Sequence, residues 1–184
     1  TDPAPVATRL LAADPALPAQ QKFKNAAVIQ FEGPITPWLQ GYLERKLAAA
    51  KNAGADLIVL EIDSPGGHLH ESEQIAEKLN NLPDAHTVAY VPREAYSGAA
   101  MVSLGCDEII MRPSARIGDV GVIFLDENFM FRHAVEKIRS PVVTEMRALA
   151  AEHKRPPALA ESMVDLNVEV FRYVNQRTNA EDFL

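Results

Sequence analysis

The sequence predicts an α/β fold on a mainly parallel sheet. Three observations carry that prediction. Apolar runs of strand length alternate with segments of helical period along residues 26–111. One run, Asp56-Leu57-Ile58-Val59-Leu60-Glu61-Ile62-Asp63, is apolar almost throughout, as expected of a central parallel strand covered on both faces. Each run closes on Gly, Pro or small polar residues, which end strands and helices.

The elements follow in order. Ala26-Ala27-Val28-Ile29-Gln30-Phe31 is a strand by length and ends at Gly33-Pro34. Thr36 before Pro37 fits an N-cap followed by proline at the first helical position. Leu39, Leu43, Leu47 and Ala50 then share one helical face up to Gly54. The second strand breaks at Ser64-Pro65-Gly66-Gly67. Leu69 to Asn80 reads as a helix with Ile75 and Leu79 at i, i+4. His86 to Val91 is a third strand, Ser97 to Gly105 a helix of small residues, and Asp107 to Met111 a fourth strand. Residues 117–137 read as irregular. Ser140-Pro141 opens a helix to about His153, with Val142, Met146 and Leu149 facing inward. Pro156-Pro157 breaks it, and Glu169 to Val174 reads as a late strand. The strand–helix alternation calls for right-handed crossovers.

Residues 1–21 are rich in Ala and Pro, with Pro3, Pro5, Pro15 and Pro18, and read as a flexible arm. Residues 22–184 form one domain. Apolar residues make up 47% of the 184 and charged ones 23%, which is globular usage. The net charge of −7, with no basic run to neutralise phosphates, argues against a nucleic-acid surface, and no nucleic-acid partner is expected. The longest apolar stretch, Val120 to Leu125, is far short of the roughly 20 residues of a membrane helix. The single cysteine, Cys106, excludes an internal disulfide and reads as a buried small hydrophobe. The chain begins at Thr1 with no apolar leader, and the expectation is a soluble piece of a longer protein.

Two loops could carry chemistry. Asp63-Ser64-Pro65-Gly66-Gly67 follows a strand, and ligands of open α/β sheets bind outside the carboxyl ends of strands. Its glycine N–H groups could hold a developing oxyanion. A plain tight turn is the alternative for this loop taken alone. Glu94-Ala95-Tyr96-Ser97-Gly98-Ala99-Ala100 also follows a strand. Ser97 would start a helix beside unpaired N–H groups and the positive end of the helix dipole, with the Gly98 N–H facing the same space. An ordinary N-cap is the alternative for Ser97. Together, loops at neighbouring strand ends place a serine, a following amide and a glycine-pair amide in reach of one another.

These segments, with Met111-Arg112-Pro113-Ser114-Ala115-Arg116-Ile117-Gly118, resemble the serine peptidase branch of the ClpP/crotonase fold. In particular they resemble the protease domain of NfeD-type membrane-bound proteins, related to signal peptide peptidase A. The likeness runs from about Ala26 to Val170. It implies a ClpP/crotonase-like, mainly parallel sheet with crossover helices in repeated β-β-α-type units. It implies Ser97 as nucleophile, Gly67 and Gly98 as oxyanion hole, and no cofactor. ClpP-type enzymes place a histidine soon after the nucleophile helix, but Pro113 to Gly118 holds none. NfeD-type enzymes use a lysine some 40 residues past the serine, and Lys137 stands there. It is the only lysine between Ser97 and His153, and His133 is the only histidine between Ser97 and residue 150. A lysine base must drop from about 10.4 to roughly 7 or 8, through burial or neighbouring cations such as Arg132 and Arg139. A solvated surface lysine is the alternative.

Gly66, His68, Tyr96 and Phe124 are expected to bind substrate. The Gly-Gly turn in this fold pairs with an extended peptide, and Met101, Ile123, Phe129 and Phe131 would add an apolar lining. Ile117 to Phe131 is expected to act as a lid. His68, His70 and Glu71 lack the spacing of a zinc motif, so no metal is assigned. Trp38 is expected in the core or an interface. The resemblance further implies cleavage of hydrophobic segments of membrane-associated proteins, stomatin-like partners, a homo-oligomer, and a position on the extracytoplasmic side of a membrane. Competing readings are a crotonase-type acyl-CoA enzyme and a non-catalytic scaffold of the same fold.

Overall fold

The computed structural model describes residues 22–125, 127, 130–178 and 181–183. The expected arm, residues 1–21, and Phe129 lie outside the described residues, as do the side chains of Phe124, Phe131 and His133.

The chain runs β1 (Ala26–Glu32), α1 (Pro37–Asn52), β2 (Leu57–Asp63), α2 (Leu69–Asn80), β3 (His86–Val91), β4 (Glu94–Tyr96), α3 (Gly98–Leu104), β5 (Glu108–Met111) and β6 (Arg116–Gly118). It continues through β7 (Ile123–Leu125), β8 (Phe131–His133), α4 (Glu136–Glu152), α5 (Pro157–Ser162), β9 (Arg172–Val174) and β10 (Glu181–Phe183). The main sheet is parallel in the order β1-β2-β3-β5. The pair β4-β6 is also parallel, and the pairs β7-β8 and β9-β10 are antiparallel.

Each new strand joins the same edge of the growing sheet, and right-handed crossovers then put the connecting helices on one face. Ile29, Phe31, Ile58, Leu60, Ile62, Ala89 and Val91 cover that face. They meet Leu43, Leu47 and Ala50 of α1, Ile75 and Leu79 of α2, and Ala99 and Val102 of α3. The opposite face stays partly open, with Val28 67% and Ile110 46% exposed. β2 is therefore buried at alternate residues, not on both faces as its composition predicts.

Thr36 caps α1, its Oγ1 accepting from the Leu39 N–H at 3.4 Å. α3 is buried along its whole length and packs closely on α2. A Cβ at Gly98 would lie 2.0 Å from Ser72 Oγ, and one at Gly105 2.5 Å from the Ala76 carbonyl oxygen. A second core joins Met101 and Leu104 of α3 to Val142, Met146 and Leu149 of α4, with Val120 and Val164.

Four further expectations change. α4 starts at Glu136 rather than Ser140, so Pro141 lies inside the helix. The span 117–137 is not irregular throughout: it holds the end of β6, β7, β8 and the start of α4. Strands of three residues are too short to show an alternation. The strand expected over Glu169 to Val174 shortens to Arg172–Val174. Trp38 is 86% exposed and so lies outside the core.

Candidate active site

The two predicted loops meet beyond the carboxyl ends of β2 and β3, and Ser64 joins them. Its backbone bridges to Ala95, the Ser64 N–H donating to Glu94 O and the Tyr96 N–H to Ser64 O, each at 3.0 Å. Its buried hydroxyl donates to Gly33 O at 2.6 Å and accepts from the Gly66 N–H at 3.1 Å. One side chain thus fixes the ends of β1 and β2 and the glycine turn. Arg93 adds an ion pair with Asp63 across the same junction.

The glycine turn sits against the serine. Gly66 has φ +87°, and a Cβ there would lie 2.5 Å from Ser97 Cβ and 2.8 Å from Gly98 N. Gly67 is wedged on Ile35, where a Cβ would lie 2.2 Å from the Ile35 carbonyl oxygen. The Ile35 N–H donates to Gly66 O at 2.8 Å, and the Ile35 carbonyl accepts from the His68 N–H at 3.0 Å. Any side chain at 66 or 67 would push the loops apart.

Ser97 itself has φ +52° and ψ −126°, a conformation that L-residues rarely hold. The strain is held by the Ser97 N–H bond to Gly118 O at 2.9 Å and by the helix that begins at Gly98. Ser97 stands at the cap position of α3 but makes no side-chain cap hydrogen bond. Its oxygen is not spent on the helix. Among the described residues neither the Gly67 N–H nor the Gly98 N–H donates to a protein acceptor. A half-exposed hydroxyl beside the unspent Gly98 amide, with the glycine turn packed on Ser97 at Gly66, is suited to attack on a carbonyl whose oxygen gains charge.

Tyr96 is half-buried, and its phenol interacts with Arg116, whose guanidinium is held above its ordinary range by that contact. His68 is exposed and pairs with Glu71, Nδ1 to Oε2 at 3.3 Å. Met101 is fully buried against α4, so it lines no cleft; its position one turn after Ser97 faces the second core. Cys106 is fully buried, and burial pushes its thiol up to about 12. Lys137 is exposed on the first turn of α4, and no hydrogen bond or ion pair joins it to Ser97 among the described residues. Ser64, Ile35 and Gly118 had no assigned role in the sequence. A serine before Pro-Gly-Gly was the one available signal.

A cavity of about 500 Å³ lies elsewhere, lined by Leu47, Lys51, Asp56, Ile58, Leu82 and Ala85 at the amino ends of the strands. Among the described residues its lining includes no serine, threonine or cysteine.

The family model for the NfeD1b N-terminal domain matches residues 25–181. Membrane protein NfeD1b of Bacillus subtilis (strain 168) is 29% identical over 153 residues, which cover 83% of this chain and 34% of that protein. The solved membrane-bound stomatin-specific protease 1510-N of Pyrococcus horikoshii, in complex with a substrate peptide, superposes with a TM-score of 0.72 at 25% identity. That match covers 78% of this chain and 67% of the other. ClpP1 from Listeria monocytogenes, at 15% identity, shares the fold with a TM-score of 0.58 over 75% of this chain and 78% of its own. The chain spans about a third of the length of the curated relatives it matches first. Among the described residues no helix is long and apolar enough to cross a membrane. Fold, motif order and family match agree, and the chain belongs to the NfeD1b N-terminal domain family.

Proposed function

We propose that the chain is the peptidase domain of a membrane-associated serine endopeptidase. Ser97 is the nucleophile, the Gly67 and Gly98 N–H groups hold the oxyanion, and Lys137 is the general base. The observation that supports this reading is the close packing of Gly66 on Ser97 and on the Gly98 nitrogen, beside a serine hydroxyl that makes no cap hydrogen bond. The relative 1510-N, described as a protease and bound to a substrate peptide, supports the same activity.

The reaction follows from these parts. A peptide carbonyl enters the junction with its oxygen toward the two amides. Uncharged Lys137 takes the Ser97 proton as Oγ attacks the carbonyl carbon, and the amides stabilise the tetrahedral oxyanion. Collapse breaks the C–N bond, the leaving amine takes the proton back from Lys137, and an acyl-enzyme remains. Water repeats the sequence and frees the serine. His68 and Tyr96 flank the entry, with Phe124 as a further substrate contact. The preferred substrate is an extended apolar segment of a membrane-associated protein. A stomatin-like partner is supported by the specificity named for 1510-N. The domain works as a homo-oligomer on the extracytoplasmic side of its membrane.

A fluorophosphonate probe tests the reading. Intact-mass analysis should show one adduct, at Ser97, and Ser97→Ala and Lys137→Ala should each abolish hydrolysis of an apolar fluorogenic peptide. An unlabelled serine in folded protein would favour the acyl-CoA or scaffold alternative.

A further inference from the structure

We propose that Arg139 and Asp165 form a positioning pair that sets where Lys137 stands relative to Ser97, an inference that rests on the Ser97–Lys137 reading above. Lys137 is the second residue of α4. In an α-helix its carbonyl would accept from the N–H of residue 141, but residue 141 is proline and has none. The first turn is therefore tied to the rest of the helix by one bond fewer.

Ion pairs fill that role. The Arg139 guanidinium pairs with Glu136 inside the turn and with Asp165 Oδ1 at 3.3 Å in the segment after α5. Asp165 is itself held, accepting from Asn167 N–H at 3.0 Å and from Asn167 Nδ2 at 2.9 Å. The backbone bond foremost keeps its carboxyl below the usual carboxylate range, and so charged. The side chains of Arg139 and Asp165 are 29% and 21% exposed, so water screens this pair less than a fully surface one. Arg139 also borders a cavity of about 250 Å³ with Asp119, Val122, Ala134, Met163 and Asn167, so apolar packing alone does not seat the turn.

The other end of the strut reaches the nucleophile. Two residues before Asp165, Met163 O accepts from the Val120 N–H at 2.7 Å. A Cβ at Gly118 would lie 3.5 Å from Met163 Cγ, and Gly118 O accepts from the Ser97 N–H at 2.9 Å. A bonded path thus runs from Ser97 through Gly118, Val120, Met163, Asp165 and Arg139 to the turn that bears Lys137.

The test is the rate at which a fluorophosphonate labels Ser97 in the full 184-residue chain, followed across about pH 5 to 10. Arg139→Ala and Asp165→Asn are expected to slow labelling about 10- to 100-fold, the scale of a misplaced catalytic group. The reversed pair, Arg139→Asp with Asp165→Arg, should regain about tenfold over Arg139→Asp alone. The acid limb of the pH profile gives the readout that a merely structural role would not move. Arg139→Ala removes a cation two residues from Lys137 and leaves the carboxylates of Glu136 and Asp165 unneutralised, so it should shift the limb to higher pH. Asp165→Asn removes a negative charge and should shift it lower. Singles within about twofold of the parent, while Lys137→Ala loses labelling, would overturn the positioning pair and leave the dyad standing, as would limbs that fail to move in opposite directions. Normal labelling of Lys137→Ala would remove the base assignment and the strut with it.

Discussion

The two halves of the proposed dyad are built by opposite means. Ser97 is gripped by contacts that tolerate almost no change: two glycines without room for a methyl group, a buried serine hydroxyl spanning two loops, and a backbone angle that is costly to hold. Lys137 stands on an exposed first turn, one backbone bond short of its helix because of Pro141, and that turn is held by the ion pairs of Arg139. Steric fit within a few residues writes a motif, whereas a strut between residues 139 and 165 leaves no local trace. The nucleophile side is consequently recognisable from short words, and the base only from its distance along the chain.

Mutations can break that contrast, beginning with the most severe. Gly66→Ala should cost on the order of 3 kcal/mol or more and reduce Ser97 labelling over about 100-fold, because the methyl group meets backbone as well as Ser97. Urea unfolding and probe kinetics would check both numbers. Ser64→Ala loses two buried hydrogen bonds and should cost about 2 kcal/mol, with labelling slowed about tenfold as the glycine turn loosens. Ser97→Gly should stabilise the protein by about 1 kcal/mol while abolishing labelling, since glycine holds φ +52° without strain; Ser97→Ala should show no such gain.

A third region serves as a control. His153 is nearly buried at the far end of α4, 3.7 Å from Asp107, and its Nε2 has no hydrogen-bond partner among the described residues. Burial, and then Arg155, hold its imidazole below the ordinary range. The folded state thus binds fewer protons than the unfolded one. Stability is present above about pH 6.5 and is lost as pH falls through the lower native value. The melting temperature should drop from pH 7 to 5, and drop less in His153→Gln, with labelling at pH 8 unaffected. Lys137→Ala completes the contrast: stability within about 0.5 kcal/mol of the parent, as for an exposed side chain, and labelling down at least about 100-fold.

Much of this architecture is legible from residue pattern. The limits of α2, the inward face Val142, Met146 and Leu149, and the cap at Thr36 follow from period and capping chemistry. The meeting of the two loops follows from their common place at strand ends. What escapes depends on partners far along the chain. β2 is apolar on both faces, but only the one-directional strand order decides that one face stays open. Ser140-Pro141 looks like a helix start because proline favours first turns, yet the Arg139–Glu136 pair and the Ile138 N–H bond to Val135 O carry the helix back to Glu136. Nothing near Ser64 announces that its hydroxyl ends on Gly33.

A structure of the chain with the fluorophosphonate adduct on Ser97 tests the central claim most directly. The phosphonyl oxygen that mimics the oxyanion should lie about 2.7–3.1 Å from both Gly67 N and Gly98 N. An adduct whose oxygen points to solvent, with either amide still unengaged, would contradict the assignment.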